Sequence, residues 1–438
     1  MNLHGTMTID DMGNLQIGGC NTVNLAKKYG TPLYVMDVAH IKNNCSTFKQ
    51  AFASKHLDTE VIYASKAFLT VGMCQLIASQ GLSLDVVSGG ELYTAIRANF
   101  PADRIFFHGN NKTVDELISA LNYGVGRIII DNPFEIDMLS YLCSELDRSV
   151  EVMIRVNPGI EAHTHEYIQT ANNDSKFGIS IYNEDICKII HSITDSYYLD
   201  LTGFHYHIGS QILDGTSFTK AVEVMMDFVK KVKEDCGFET KELNMGGGFG
   251  IYYSEEDQVL DLKQCLQGAI STVSSFCKAN RIKAPKLLIE PGRAIAGNAG
   301  TTLYKVGATK TTYSGKRFIF VDGGMTDNPR TALYDSVYEA ALANRMEEAA
   351  ADTFTVAGKC CESGDILIRQ IDLPEARKND ILAIASTGAY TYSMASNYNR
   401  LRKPAVVFVE NGHSQVIVKR ETYEDILRND LNWEEHHG

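Results

Sequence analysis

Lys66 closes the run Val61-Ile62-Tyr63-Ala64-Ser65-Lys66-Ala67-Phe68, among small and apolar neighbours. An amine in such surroundings is expected to be partly desolvated, to lose its proton more readily and to form an imine with a carbonyl compound. Taken alone, a solvated surface lysine explains it equally simply. Glu290-Pro291-Gly292-Arg293 supplies a carboxylate that could pair with its own Arg293. Against a pyridine ring, the same carboxylate would keep the ring nitrogen protonated and make the ring an electron sink.

Other groups accompany these two. Gly246-Gly247-Gly248-Phe249-Gly250 lacks the G-x-G-x-x-G spacing, and Ile251-Tyr252-Tyr253 does not open a helix, so a dinucleotide fingerprint is excluded. A plain turn would account for it; backbone amides without side chains to cover them would also suit a phosphate. His205 and His207 alternate along one face, and one of them is a satisfied core histidine. His207, last before the loop, is expected to lie against a flat cofactor, and Ser210 to donate to its phosphate. His163 and His165 have no third ligand at metal spacing, so no metal site is expected. Cys361 beside Glu362 suits proton donation, with a buried Cys360-Cys361 pair as the alternative. Arg330 with Tyr334 could clamp a carboxylate, and this loop and the one through Gly388-Ala389-Tyr390 could equally be turns.

These residues need elements that converge. Strands are expected at Val61–Ser65, Leu84–Ser88, Ile105–Gly109, Arg127–Asp131, Glu151–Asn157, Leu201–Ile208, Glu242–Met245 and Lys286–Glu290. Segments with helical apolar spacing lie between them, such as Val71–Gln80, Val114–Asn122 and Phe218–Glu234. Eight alternations argue for a parallel (β/α)8 TIM-like barrel, whose chemistry sits at the carboxyl ends of its strands. Lys66, His207, the Gly246–Gly250 turn and Glu290 all fall at such ends.

The barrel accounts for the middle of a 438-residue chain that is 44% hydrophobic, long enough for two domains. After residue 300 the pattern changes to short alternating runs, among them Thr302–Lys310, Arg317–Asp322, Thr353–Gly358 and Ala405–Glu410, which suggest an antiparallel barrel or sandwich. Short strands at Thr6–Asp10 and Leu15–Ile17 are expected to join it. The division expected is a barrel over 34–293 and a β-rich domain from 1–33 and 294–438 that supplies substrate-site and dimer-interface residues.

Lysine and arginine number 41 against 54 acidic residues, a net charge of −13, without a basic run. Nucleic acid and anionic membranes are therefore not expected as partners. With no long apolar stretch and no charged-then-apolar start, a cytoplasmic location is expected. The 10 cysteines are scattered without C-x-x-C, which fits reduced thiols.

Together these residues resemble the fold-type III decarboxylases that use pyridoxal 5′-phosphate. The resemblance covers nearly the whole chain. It is carried by Tyr63-Ala64-Ser65-Lys66-Ala67, His207-Ile208-Gly209-Ser210-Gln211, the Gly246–Gly250 turn, Glu290–Arg293, Cys361-Glu362-Ser363-Gly364-Asp365 and Gly388-Ala389-Tyr390. The loop His165-Glu166-Tyr167, with Asp174-Ser175-Lys176-Phe177-Gly178, resembles the branch acting on meso-diaminopimelate rather than the ornithine or arginine decarboxylases.

The resemblance implies that Lys66 holds the cofactor as a Schiff base, His207 stacks on its ring and Glu290 pairs with its nitrogen. Gly247, Gly248 and the loop with Gly292 would surround the phosphate, with Tyr390 nearby. Arg293, Arg330, Tyr334 and Glu362 would grip the distal end of the substrate, and Cys361 would donate a proton from the other subunit of a homodimer. The implied product is L-lysine. A decarboxylase for another basic amino acid or for carboxynorspermidine is the first alternative; a non-catalytic regulatory relative is the second, although such relatives usually lose the lysine or the cysteine.

Overall fold

The structure, a computed structural model, describes residues 1–160 and 175–433. His163, His165-Glu166-Tyr167, Asp174 and the tail after Trp433 lie outside the described residues. The chain divides into two compact units, Ile41–Gly297 and Met1–His40 with Asn298–Gly438.

The first unit is a closed barrel of eight parallel strands: β1 (Thr59–Ala64), β2 (Ser83–Val86), β3 (Ile105–Phe107), β4 (Arg127–Ile130), β5 (Val150–Asn157), β6 (Leu199–His205), β7 (Glu242–Asn244) and β8 (Lys286–Ile289). Each pairs with the next in the chain, and β8 returns to β1. Apolar, largely β-branched runs such as Ile128-Ile129-Ile130 are buried and form strands because branched side chains fit a pleated surface. Inside, Ile62, Phe106, Ile129, Met153 and Leu288 pack against one another, so the barrel is a filled core. Truncating one of them, as in Phe106→Ala, costs about 3–5 kcal/mol.

The helices start and stop where local chemistry dictates. Thr70 and Ser88 cap the helices after β1 and β2 by accepting backbone N–H groups. Thr113 and Glu116 form a reciprocal capping box after β3, and Gly124 ends that helix in the left-handed region at φ 78°. A short strand, Ile179–Ser180, adds in parallel to the end of β5.

The second unit is built on a nine-stranded sheet. Its main path runs Ile366–Leu373, Asp352–Ala357, Arg317–Val321, Gly300–Thr311, Leu33–Asp37, Ala405–Glu410 and His413–Val418. Most pairs are antiparallel; Arg317–Val321 with Asp352–Ala357, and Leu33–Asp37 with Ala405–Glu410, are parallel. The N-terminal strands do not join this sheet as expected. Thr8–Ile9, Leu15–Ile17 and Cys20–Asn21 make a three-stranded sheet of their own. Both edges of Leu15–Ile17 are occupied by its hairpin neighbours, while Leu15 and Ile17 still pack in the core with Leu33, Val35, Leu303 and Val407. Leu33–Asp37 is the N-terminal strand that enters the large sheet.

The cysteines correct a second expectation. Cys187 and Cys236, 49 residues apart at one end each of helices Ile186–Thr194 and Gly215–Cys236, form a disulfide. No short motif encodes such a pairing; it arises where two helices pack. The other eight are free, and all but Cys361 are buried. Among the described residues, no helix is long and apolar enough to cross a membrane.

Candidate active site

Lys66 follows β1 in a short 3-10 turn, Ser65–Ala67. Its neighbours Ala64, Ser65, Ala67 and Phe68 are buried, while Lys66 itself is exposed. The expected desolvation therefore applies to the flanks and not to the amine, which points away from the packing that fixes its backbone. Its charge is felt at Asp85 and at His207.

Glu290, just past β8, lies at the centre of the barrel residues. It is buried, and both carboxylate oxygens are engaged. Oε1 accepts from Asn244 Nδ2 at 2.7 Å and lies 2.9 Å from His108 Nε2; Oε2 lies 3.1 Å from His205 Nε2. Asn244 is oriented by its own Oδ1, which accepts the Gly246 N–H at 3.0 Å. Burial alone would raise the Glu290 pKa; the two imidazoles outweigh it and hold the group well below the usual carboxylate range. Burial also pushes His205 down to about 4. At neutral pH the arrangement is thus a carboxylate receiving an N–H from a neutral His205. The plain salt bridge between Glu290 and Arg293 is not formed: Arg293 donates to Tyr253 Oη at 2.6 Å and to Ser210 Oγ at 2.8 Å.

His207, two residues past β6, has a different partner. Its Nδ1 accepts the Gly247 N–H at 3.2 Å, which fixes a neutral ring protonated on Nε2. Burial is the main cause that holds its pKa well below the ordinary value, assisted by Lys66. The glycine turn is shaped by contact. A Cβ on Gly246, which has φ 67°, would meet the Tyr206 carbonyl oxygen at 2.4 Å; on Gly247 the Glu290 oxygen at 2.2 Å; on Gly248 the Gly209 oxygen at 2.4 Å. The amides of Gly246, Gly247 and Gly250 are spent on internal bonds. Gly292 abuts Ala64, whose Cβ would lie 2.9 Å from an added one.

Four polar residues here escaped the sequence reading: Asp85 in β2, His108 after β3, Arg155 in β5 and Asn244 in β7. Each is a polar residue in or just after an apolar barrel strand, and that was the available signal. Asp85 is fully buried, and desolvation is the main cause that raises its pKa to about 7. Arg155 stacks over Phe177 at 4.3 Å and lies 3.9 Å from Asp131.

In the second unit, Arg330 is buried at the start of the turn of helix Arg330–Tyr334. Its guanidinium lies 5.3 Å from the Tyr334 ring centre and 5.5 Å from that of Tyr390. Tyr390 has φ 59°, an uncommon backbone state for a tyrosine. Cys361 and Glu362 are exposed in the loop after Asp352–Ala357. Asp365 grips the loop from beneath, accepting Met325 N–H at 2.6 Å and Cys360 N–H at 2.7 Å. Asn399 Oδ1 accepts the Cys361 N–H at 2.7 Å, and Tyr398 Oη reaches Glu362 Oε2 at 3.5 Å. The structure thus gathers Lys66, His207, Ser210, Gly247, Gly248, Glu290, Gly292 and Arg293 on the barrel, Arg330, Tyr334 and Tyr390 around one guanidinium, and Cys361 with Glu362 on one loop.

Comparison with known proteins points the same way. Residues 38–297 match the family model described as pyridoxal-dependent decarboxylase, pyridoxal binding domain. The diaminopimelate decarboxylase of Bacillus subtilis (strain 168) is 51% identical over 98% of this chain and 98% of its own. That of Bacillus methanolicus is 50% identical over 96% of this chain and 97% of its own. Among solved structures, diaminopimelate decarboxylase from M. jannaschii in complex with L-lysine superposes with a TM-score of 0.91 at 34% identity, covering 98% of both chains. The Helicobacter pylori enzyme complexed with L-lysine gives 0.85 at 30% identity, covering 93% of this chain and 98% of that one.

Proposed function

Because the chain belongs to the pyridoxal-dependent decarboxylases, among relatives that are diaminopimelate decarboxylases over nearly their full length, we propose that it converts meso-2,6-diaminopimelate to L-lysine and CO2, the last step of lysine synthesis. The observation that carries this reading is Glu290, a buried carboxylate kept ionised beneath a rim that also bears Lys66 and His207.

The barrel residues fit pyridoxal 5′-phosphate on two counts. Glu290 has about four acceptor positions as a carboxylate; hydrogen bonds from Asn244 and His205 occupy one on each oxygen, which leaves room on Oε2 for a ring N–H. The Gly246–Gly248 turn is fixed by backbone packed against it at Tyr206, Glu290 and Gly209, and a phosphate beside it would meet backbone and no side chain of the turn.

When bound, the cofactor supplies a carbonyl carbon that joins amines and a ring that takes up the electron pair left by departing CO2. Lys66 would be the amine that holds it. Glu290 keeps the ring nitrogen protonated, and neutral His207 presents its imidazole to the ring. Ser210, Gly247, Gly248 and Gly292 bind the phosphate, with Tyr390 beside them. Arg293, Arg330, Tyr334 and Glu362 bind the distal ammonium and carboxylate of the substrate. A substrate lacking the distal carboxylate would strand the charges that bind it, so ornithine and lysine are poor substrates. Cys361 would supply a thiol proton to the substrate, reaching the site from the partner subunit of a homodimer in the cytoplasm.

The experiment is CO2 release from meso-diaminopimelate beside ornithine, arginine and carboxynorspermidine. Preference for any of the last three overturns the substrate assignment. Lys66→Ala abolishes the borohydride-reducible adduct, and Cys361→Ala retains cofactor while turnover slows. Mixing these two inactive variants restores activity if the site is shared between subunits.

A further inference from the structure

Beneath the candidate cofactor site lies a pair of histidines to which the reaction as described gives no task. His108 and His205 are 3% and 1% exposed, and their rings meet edge to face with centres 4.7 Å apart. One follows β3 and the other ends β6, and both set the same atom, Nε2, against opposite oxygens of Glu290, at 2.9 Å and 3.1 Å.

We infer that His108 and His205 are positioning residues, a pair of imidazoles set against opposite oxygens of Glu290 that fixes the carboxylate and reserves its charge for the cofactor ring nitrogen. This rests on the reading of Glu290 as the ring's partner. A carboxylate spanned by two imidazoles and by Asn244 cannot rotate without breaking three contacts, so its free acceptor position is held in one direction. The charge state matters as much as the direction. An imidazolium would neutralise Glu290 and compete with the ring for it, whereas a neutral imidazole donates one N–H and leaves the negative charge in place. Burial favours the neutral form of His205, because the charged ring would have to be desolvated. The His205 Nδ1 is buried without a hydrogen-bond partner, as befits a ring whose single proton is on Nε2. The three side chains also place one ligand atom each within 4.8 Å of one another. The 3.1 Å between His205 Nε2 and Glu290 Oε2 is a hydrogen-bond length.

The test uses holoenzyme loaded with pyridoxal 5′-phosphate carrying 15N at the ring nitrogen, read by NMR at neutral pH. The parent protein gives a resonance in the protonated-pyridine range. Replacing both histidines by leucine removes both imidazoles and moves the resonance toward neutral pyridine; His108→Gln with His205→Gln keeps an N–H at similar reach and holds it in place. Turnover follows the same order, with kcat about ten- to a hundredfold lower in the leucine pair and KM little changed. An unmoved resonance in the leucine pair overturns the inference, as does a glutamine pair that shifts as far as leucine. Glu290→Gln separates the two layers. If it also leaves the resonance unmoved, the pairing of Glu290 with the ring has failed; if it moves the resonance and the leucine pair does not, only the histidine inference has. Should the leucine pair not fold, 15N-histidine labelling of the unsubstituted holoenzyme decides. Both rings neutral and protonated on Nε2 support the inference. An imidazolium, an Nδ1-protonated ring or an equivalent of metal retained through dialysis overturns it.

Discussion

Asn399 Oδ1 accepts the backbone N–H of Cys361 at 2.7 Å, tying the proposed proton donor to a loop 38 residues further along the chain. Asn399 occupies the left-handed region at φ 51°. Glycine tolerates that backbone and lacks the acceptor; aspartate keeps both. Asn399→Gly is expected to lower kcat about tenfold through misplacement of the thiol, and Asn399→Asp to stay near the parent value. Steady-state kinetics of the two variants checks this, and equal losses would exclude the tether.

Gly247 has its own strict requirement. A methyl group there would need to displace the Glu290 carbonyl oxygen from 2.2 Å, and a backbone atom yields less readily than a side chain. The shift would also break the Gly247 N–H to His207 bond. Gly247→Ala is expected to destabilise the protein by about 1–3 kcal/mol and to weaken cofactor binding at least about tenfold. Thermal melting and cofactor titration report the two effects separately.

Arg330 presents a flat cation to two aromatic rings. Lysine keeps the charge and loses the planar stack and the two-pronged geometry. Arg330→Lys is expected to raise KM for meso-diaminopimelate about tenfold or more while cofactor absorbance stays unchanged. An unaltered KM would remove Arg330 from substrate binding.

Asp85 sets a pH dependence. Desolvation raises its pKa from an ordinary 3.8 to about 7 in the folded protein, so between these values the native state holds more protons than the unfolded chain. The contribution to stability is complete below about pH 4, declines as pH rises and is lost above about pH 7. Asp85→Asn cannot ionise. Its melting temperature relative to the parent is expected to be higher at pH 8 than at pH 5, by an amount corresponding to a few kcal/mol; a pH-independent difference would contradict the assignment.

Much of the fold was legible because the barrel repeats one short-range pattern eight times. Apolar β-branched runs, helical spacing and turn glycines are all local signals, and β1 to β8 lie close to the segments they mark. Long-range choices were not legible in this way. The edges of Leu15–Ile17 were taken by its own hairpin, and Leu33–Asp37, in which the barrel was expected to begin, is a strand of the large sheet. The Cys187–Cys236 pair depends on how two helices meet, which spacing does not reveal. Lys66, His207 and Glu290 stood out because each closes a strand. Asp85, Arg155 and Asn244 were absorbed into strands, and His108 sat in a segment read only for its apolar run.

The close seating of the glycine turn against Tyr206 and Glu290 has a bearing on redesign. Three neighbouring staves of the barrel are locked together at their rims, with no slack for bulkier side chains. Libraries seeking a new substrate should therefore leave that rim untouched and spend their diversity on the exposed loop around Glu362, which can absorb change.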